Sequence, residues 1–200
     1  MPTDICIRQR RGCLRDRWGI NMTEKEMKEL ALSEGFTKAE IIETKELTFI
    51  HSLRACCEAN ECGNYGKNYA CPPDCGSPQE MEARVRVYQK ALVLRTIQQV
   101  DDIMDGVQTK EAKKFHNMIS WELIGALRRK GIEGLPVMAG PCSACSVCAR
   151  IEGKPCRFPE KVASCLSAYC IHAADMAEKC GMEYWCGMNR VAFFSIYLFD

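Results

Sequence analysis

No run of about 20 apolar residues occurs in this chain, so no membrane-spanning helix is expected. The most apolar stretch, Val191 to Phe199, is too short, contains Ser195 and reads as a buried strand. The first residues lack the apolar core, roughly 7–15 residues long, of a secretory signal. Net charge is only +1, which removes the general case for a nucleic-acid or membrane partner. Histidine is scarce. His51, His116 and His172 show no paired metal spacing such as H-E-x-x-H, and each is expected to be packed or solvated. G-x-S-x-G, a phosphate-binding loop and G-x-G-x-x-G are all missing, so no pattern supports a serine hydrolase or a nucleotide site. Trp18, Trp121 and Trp185 are scattered and read as packing residues, and there is no internal repeat.

Cysteine, by contrast, is abundant: the 200-residue chain has 15. Without an export signal a cytoplasmic, reducing setting is expected, where disulfides are rare and dense cysteine points to metal or catalysis. The odd count also argues against a complete disulfide framework. Hydrophobic residues at 47% and charged residues at 26% describe a globular chain of one domain. Its expected extent is 22–200. Residues 1–21 carry Arg8, Arg10, Arg11, Arg15 and Arg17 against Asp4 and Asp16, a local +3. They read as a basic, unstructured extension, or as residues ahead of a true start at Met22.

Thr23 to Glu26 forms a capping box, followed by a helical face of Met27, Leu30 and Ala31 and a stop at Gly35. Residues 39–50 read as extended. Ser77 to Glu80 is a second capping box with Pro78 at the first helical position. Ala91 to Val100 reads as a strand. Thr109 is expected to open the longest helix, with Ala112, Phe115, Ile119, Leu123 and Leu127 on one face and Gly131 beyond its end. A short strand at Leu135 to Ala139, a helix at Ala173 to Lys179 and the strand at Val191 to Phe199 follow. This alternation predicts an α/β fold: a small mixed or largely parallel sheet, flanked by helices, with two cysteine-rich metal-binding loops. If the strands before the two loops are parallel, both loops lie along the carboxyl edge of the sheet.

Cys142, Cys145, Cys148 and Cys156 are spaced C-x2-C-x2-C-x7-C, and the first three match the start of a bacterial ferredoxin run. Two intervening residues let the chain curl around one cubane and present three thiolates to it. Zinc is the competitor, but structural zinc usually takes two separated cysteine pairs, and here the middle cysteine cannot belong to both. A set of metal-free core cysteines is the third alternative. Four thiolates leave no open iron, which favours electron transfer or structure over substrate chemistry.

Cys57, Cys62, Cys71 and Cys75 form the other group, C-x4-C-x8-C-x3-C, with Cys56 as an alternative to Cys57. Gly63, Gly66 and Gly76 permit close backbone approach, and Asn60, Asn64 and Asn68 suit tight turns. Cys75 precedes the cap at Ser77, so a helix N-terminus is expected to face the site. A loop of small buried cysteines is the plain alternative.

The run Cys62-Gly63-Asn64-Tyr65-Gly66-Lys67-Asn68-Tyr69-Ala70-Cys71-Pro72-Pro73-Asp74-Cys75, preceded by Arg54-Ala55-Cys56-Cys57, resembles the prokaryotic family of predicted metal-binding proteins called domain of unknown function 2284. Ala139-Gly140-Pro141-Cys142, Glu152-Gly153 and Pro155-Cys156-Arg157-Phe158-Pro159 agree with it. The resemblance spans about Met22 to Phe199. It implies metal binding and, through the family's Arg-to-Cys offset of three, Cys57 rather than Cys56. It supplies no reaction or substrate. Cys165, Cys170, Cys180 and Cys186 are extra to that pattern and read as buried thiols around the last helix, or as a third site; Cys6 and Cys13 lie in the basic extension.

The expectation is therefore two [4Fe-4S] clusters, zinc being the alternative cofactor, in an electron carrier or redox subunit with a redox partner protein. A zinc-held interaction protein is the runner-up. An enzyme using one cluster at its active site is a third class.

Overall fold

The computed structural model describes residues 22–200; the basic extension and its cysteines lie outside the described residues. Four strands form one sheet: β1 (Lys38–Glu43), β2 (Lys90–Gln99), β3 (Leu135–Val137) and β4 (Arg190–Phe199). Five α-helices accompany them: α1 (Glu24–Ser33), α2 (Arg54–Glu58), α3 (Pro78–Arg86), α4 (Gly106–Arg129) and α5 (Ala173–Lys179). Among the described residues no helix is long and apolar enough to cross a membrane.

The two capping boxes form as the local chemistry dictates. Thr23 and Glu26 cap α1 reciprocally, and Ser77 and Glu80 cap α3 with Pro78 in the first turn. The longest helix begins earlier than Thr109, because Asp105 accepts hydrogen bonds from the Val107 and Gln108 amides and caps a turn that starts at Gly106.

The sheet order is β1-β2-β4-β3, and every neighbouring pair is antiparallel. This corrects the expectation of a largely parallel sheet. The helical crossover does exist: α4 carries the chain from β2 to β3, and those two strands point the same way. They never pair, because β4 inserts between them antiparallel to both, as in a split β-α-β unit. The carboxyl-edge argument falls with it, since β1 and β3 run in opposite directions.

Strand alternation sends side chains to two cores. Leu92, Leu94 and Tyr197 pack with Met27 and Ala31 of α1 and Ile119, Leu123 and Leu127 of α4. On the other face Ala91, Val93, Ile196 and Leu198 pack with Met81 and Val85 of α3 and Met176 of α5. Cys75, Leu166 and Tyr169 belong to this second core, so the cysteine loops are built onto the α3/α5 face.

Candidate metal centre

The first cysteine group hangs from short elements that sequence periodicity does not mark. Residues 39–50 extend only to Glu43; a 3-10 turn at Thr44–Glu46 and another at His51–Leu53 lead into α2. Segment 48–51 is fastened to segment 170–172 by Ile50 N–H donating to Cys170 O (2.8 Å) and His172 N–H to Thr48 O (2.9 Å). That fastening aims α2 so that Cys57 turns inward while Cys56 is exposed.

Beyond α2 the chain makes tight turns. Asn60 has φ 57° and accepts a hydrogen bond from Tyr65 N–H (2.9 Å). Gly76 has φ 107°, and a Cβ there would come within 3.0 Å of the Glu80 carboxylate, so glycine is required between Cys75 and the cap at Ser77. The capping box itself takes the Ser77 and Glu80 amides, so the α3 terminus offers fewer free donors than its position promises. Arg84 reaches back from α3 to Cys75 O (2.8 Å).

The thiols of this region feel one another's charge: Cys62 and Cys165 bear on Cys57 and Cys71, and Cys75 bears on Cys71. Cys75 neighbours Cys71 and Cys165, but its strongest charged neighbour is Arg54. Burial, reinforced by neighbouring thiols, pushes Cys57 up to about 11 and Cys71 up to about 12. Burial also raises Cys75 and Cys165; Arg54 opposes it at Cys75, and the Ala168 and Ser167 amides oppose it at Cys165. Cys165, read in the sequence as a buried thiol or part of a third site, bears on this group, and no spacing signal marks that nearness. Cys170, Cys180 and Cys186 are buried, and burial pushes Cys180 up to about 11.

Arg54 is the buried cation whose charge bears on the thiols of Cys57 and Cys75. It is 7% exposed and donates to Gly76 O and Ala168 O (both 2.7 Å), yet its Nε has no partner and no carboxylate pairs with it among the described residues. A buried guanidinium without a counter-ion is costly unless an anion accompanies it. Thiolates are the candidate anions here.

The second group occupies one loop. Cys142, Cys145, Cys148 and Cys156 are all half-buried. A 3-10 turn at Ala149–Glu152 follows the third, and Gly153, at φ 66°, closes it by turning the chain toward Cys156. Arg157 donates to Val147 O (2.9 Å) and lies 3.7 Å from Glu152. Val147, Ile151 and Phe158 are exposed on this loop, with Lys154, Arg157 and Lys161 beside them.

The two loops touch. Asn68 Nδ2–H donates to Cys142 O (2.9 Å), Tyr69 O–H donates to Lys154 O (2.7 Å), and Arg150 pairs with Asp74 (2.7 Å). They meet even though β1 and β3 diverge, because the first loop is long enough to return across the α3/α5 face. The histidines play no part in this contact: His51 pairs with Glu82 (2.7 Å), and His116 is a core residue bonded to Thr96 and held down to about 3 by burial.

The family described as "Predicted metal-binding protein (DUF2284)" matches residues 40–199, a span that contains both cysteine groups. This chain belongs to that family. Neither a search of curated proteins nor one of solved structures gives a match. Family membership carries predicted metal binding and leaves the metal unspecified. Among the described residues, no three His, Cys, Asp or Glu side chains are arranged as they stand to hold a metal ion. The donor chemistry nonetheless suits a thiolate-ligated metal in this family member: soft ligands, glycine and asparagine turns, and an unpaired buried cation to offset thiolate charge.

Proposed function

We propose that this protein carries two [4Fe-4S] clusters and works as an electron carrier or as the redox subunit of a larger system. Cys142, Cys145, Cys148 and Cys156 hold the second cluster. Cys57, Cys62 and Cys71 anchor the first, with Cys75 the fourth thiol by spacing. The observation that carries the reading is the direct contact between the two cysteine loops, above all the Asn68 bond to Cys142 O. Two redox groups on touching loops are placed to pass electrons between them.

When bound, four-iron clusters supply reversible one-electron transfer. The residues do the rest. Thiolates fix each cluster, and the Arg54 guanidinium offsets negative charge at the buried one. The exposed second loop, with Val147, Ile151 and Phe158 among Lys154, Arg157 and Lys161, offers an apolar centre with a basic rim to an acidic redox partner protein.

Anaerobically prepared protein, treated stepwise with dithionite and then with an oxidant, tests this. The expected result is reversible bleaching of a brown chromophore, with paramagnetic signals from the reduced form at two potentials. A colourless protein with no redox response contradicts the proposal.

A further inference from the structure

We propose that the cavity where the sheet splits binds a small planar aromatic acid. The proposal does not depend on the metal sites or on which metal they take.

The cavity exists because β3 leaves β4 early. β4 runs from Arg190 to Phe199, yet β3 pairs with it only over Ile196–Leu198. Local bonds draw the chain away after Val137. Met138 N–H donates to Ser164 O (2.9 Å). Asn117 of α4 then holds Ala139 at both ends: its side chain donates to Ala139 O (2.7 Å) and accepts from Ala139 N–H (3.1 Å). The first half of β4, residues 190–195, is therefore left with no strand on its β3 side. Successive residues of an antiparallel strand turn their amide and carbonyl to alternate sides, so about every second residue of this stretch presents its backbone groups there.

The gap is a cavity of about 510 Å³, a size suited to a small molecule. Met138, Ala139 and Gly140 line it from the diverging strand, and residues 190–194 line it from β4. Leu166 and Phe194 in its lining are buried, whereas Trp185 is 62% exposed and Arg190 is exposed, so it has an apolar depth and an open mouth. Its walls favour flat rings. Tyr184 stacks on Phe194 with ring centroids 5.8 Å apart and planes 24° apart, and Trp185 adds an indole beside them. This aromatic segment is fastened to the sheet at both ends. Arg95, 8% exposed on β2, donates to Glu183 O (3.3 Å), and Arg190 Nε donates to Cys186 O (3.0 Å).

Arg190 is the one charged residue in the lining, and no Asp or Glu is there to answer it. Among the described residues its terminal nitrogens have no hydrogen-bond or ion-pair partner. An aromatic cavity with a single free guanidinium at its mouth suits a ligand that buries a ring and leaves an anionic group for the arginine fork. A cationic ligand would meet like charge, and a purely apolar one would leave the guanidinium unused.

Equilibrium dialysis of the full chain, prepared anaerobically, against anilinonaphthalene sulfonate and against phenylnaphthylamine tests this. The two probes share their ring system, and the first alone carries an anion. The wild type should take up about one sulfonate probe per chain, saturably. Trp185→Ala should weaken both probes by about tenfold. Arg190→Gln should weaken the sulfonate by about fivefold and leave the neutral probe unchanged. Arg190→Lys loses the bond to Cys186 O as Arg190→Gln does but keeps the charge, and should retain most of the sulfonate affinity. Val87→Ser alters an exposed apolar residue outside the cavity and should change neither probe. Each substitution is at an exposed side chain, and a circular dichroism spectrum matching wild type reports that the variant folds. No saturable uptake, equal affinities for Trp185→Ala and wild type, a Val87→Ser loss as large as that of Trp185→Ala, or an Arg190→Gln effect that is absent or shared by both probes overturns the proposal.

Discussion

Cys142, Cys145, Cys148 and Cys156 sit half-buried on a single loop, while Cys57 comes from α2 and Cys62, Cys71 and Cys75 come from the turns after it, Cys71 and Cys75 being buried. One group is local and open; the other is spread over several turns and more enclosed. The local site needs only its own loop to curl. The enclosed site needs the 48–51 and 170–172 fastening, the Arg54 clamp and the α3/α5 core before its thiols meet. The two should therefore differ in how they respond to damage, to reagents and to charge.

Arg54→Met should separate them most sharply. It removes the buried cation and leaves Gly76 O and Ala168 O without their donor, at a cost of about 1–3 kcal/mol for each unsatisfied carbonyl. We expect near-complete loss of first-site metal and normal content at the second, read by metal analysis beside the absorption spectrum. Equal loss from both sites would erase the distinction.

Thiol reactivity of metal-free, reduced protein should come next. The thiolate is the nucleophile, and with Cys57 pushed up to about 11 and Cys71 to about 12, little thiolate exists near neutral pH. Mass-mapped iodoacetamide labelling should proceed at the exposed Cys56 and Cys62 and over the second loop at least about tenfold faster than at Cys57 and Cys71. Raising the pH by one unit should speed the slow pair about tenfold, until the pH reaches roughly 11. A slow pair that ignores pH would mean that access, not ionisation, limits it.

Asn68→Ala tests the contact between the sites. Asn68 is 6% exposed, donates to Cys142 O and accepts from Ala70 N–H (3.0 Å). Losing both bonds should cost roughly 1–3 kcal/mol. It should also perturb the spectra of both sites, whereas a substitution within one loop alters one. A change confined to the first site would show that the contact does not couple them.

Arg157→Glu should give the smallest effect. Its guanidinium is held against the second loop by Val147 O and Glu152, close to Cys156, but it is exposed, so water and salt screen it. A redox titration should show a lower potential for one cluster and an unchanged one for the other. Two unshifted potentials, with both clusters present, would remove this arginine from potential tuning.

The same contrast explains what could be read in the sequence. Thr23 with Glu26 and Ser77 with Glu80 specify their helix starts with neighbours alone, and the run from Ala173 to Lys179 carries its own pattern, so these elements were legible. Strand order was not, because nothing in the residues of β4 says that it inserts between β2 and β3. Gly106, a poor helix former, hid the true start of α4, which Asp105 caps. The four cysteines of the second loop stand out by spacing, because they share one short segment. Cys57, Cys62 and Cys71 were legible as a group for the same reason. The nearness of Cys165 to that group was not, because it depends on tertiary contacts of its neighbours Ser164 and Ala168 with Met138 and Arg54.

The most direct measurement counts iron, acid-labile sulfide and zinc in anaerobically prepared wild type and in Cys145→Ser. Two independent four-iron sites predict about eight iron and eight sulfide per chain in the wild type. The variant should hold about half of each, with the first-site spectrum intact. Stoichiometric zinc without sulfide, or loss of all the iron from a folded variant, would contradict the account.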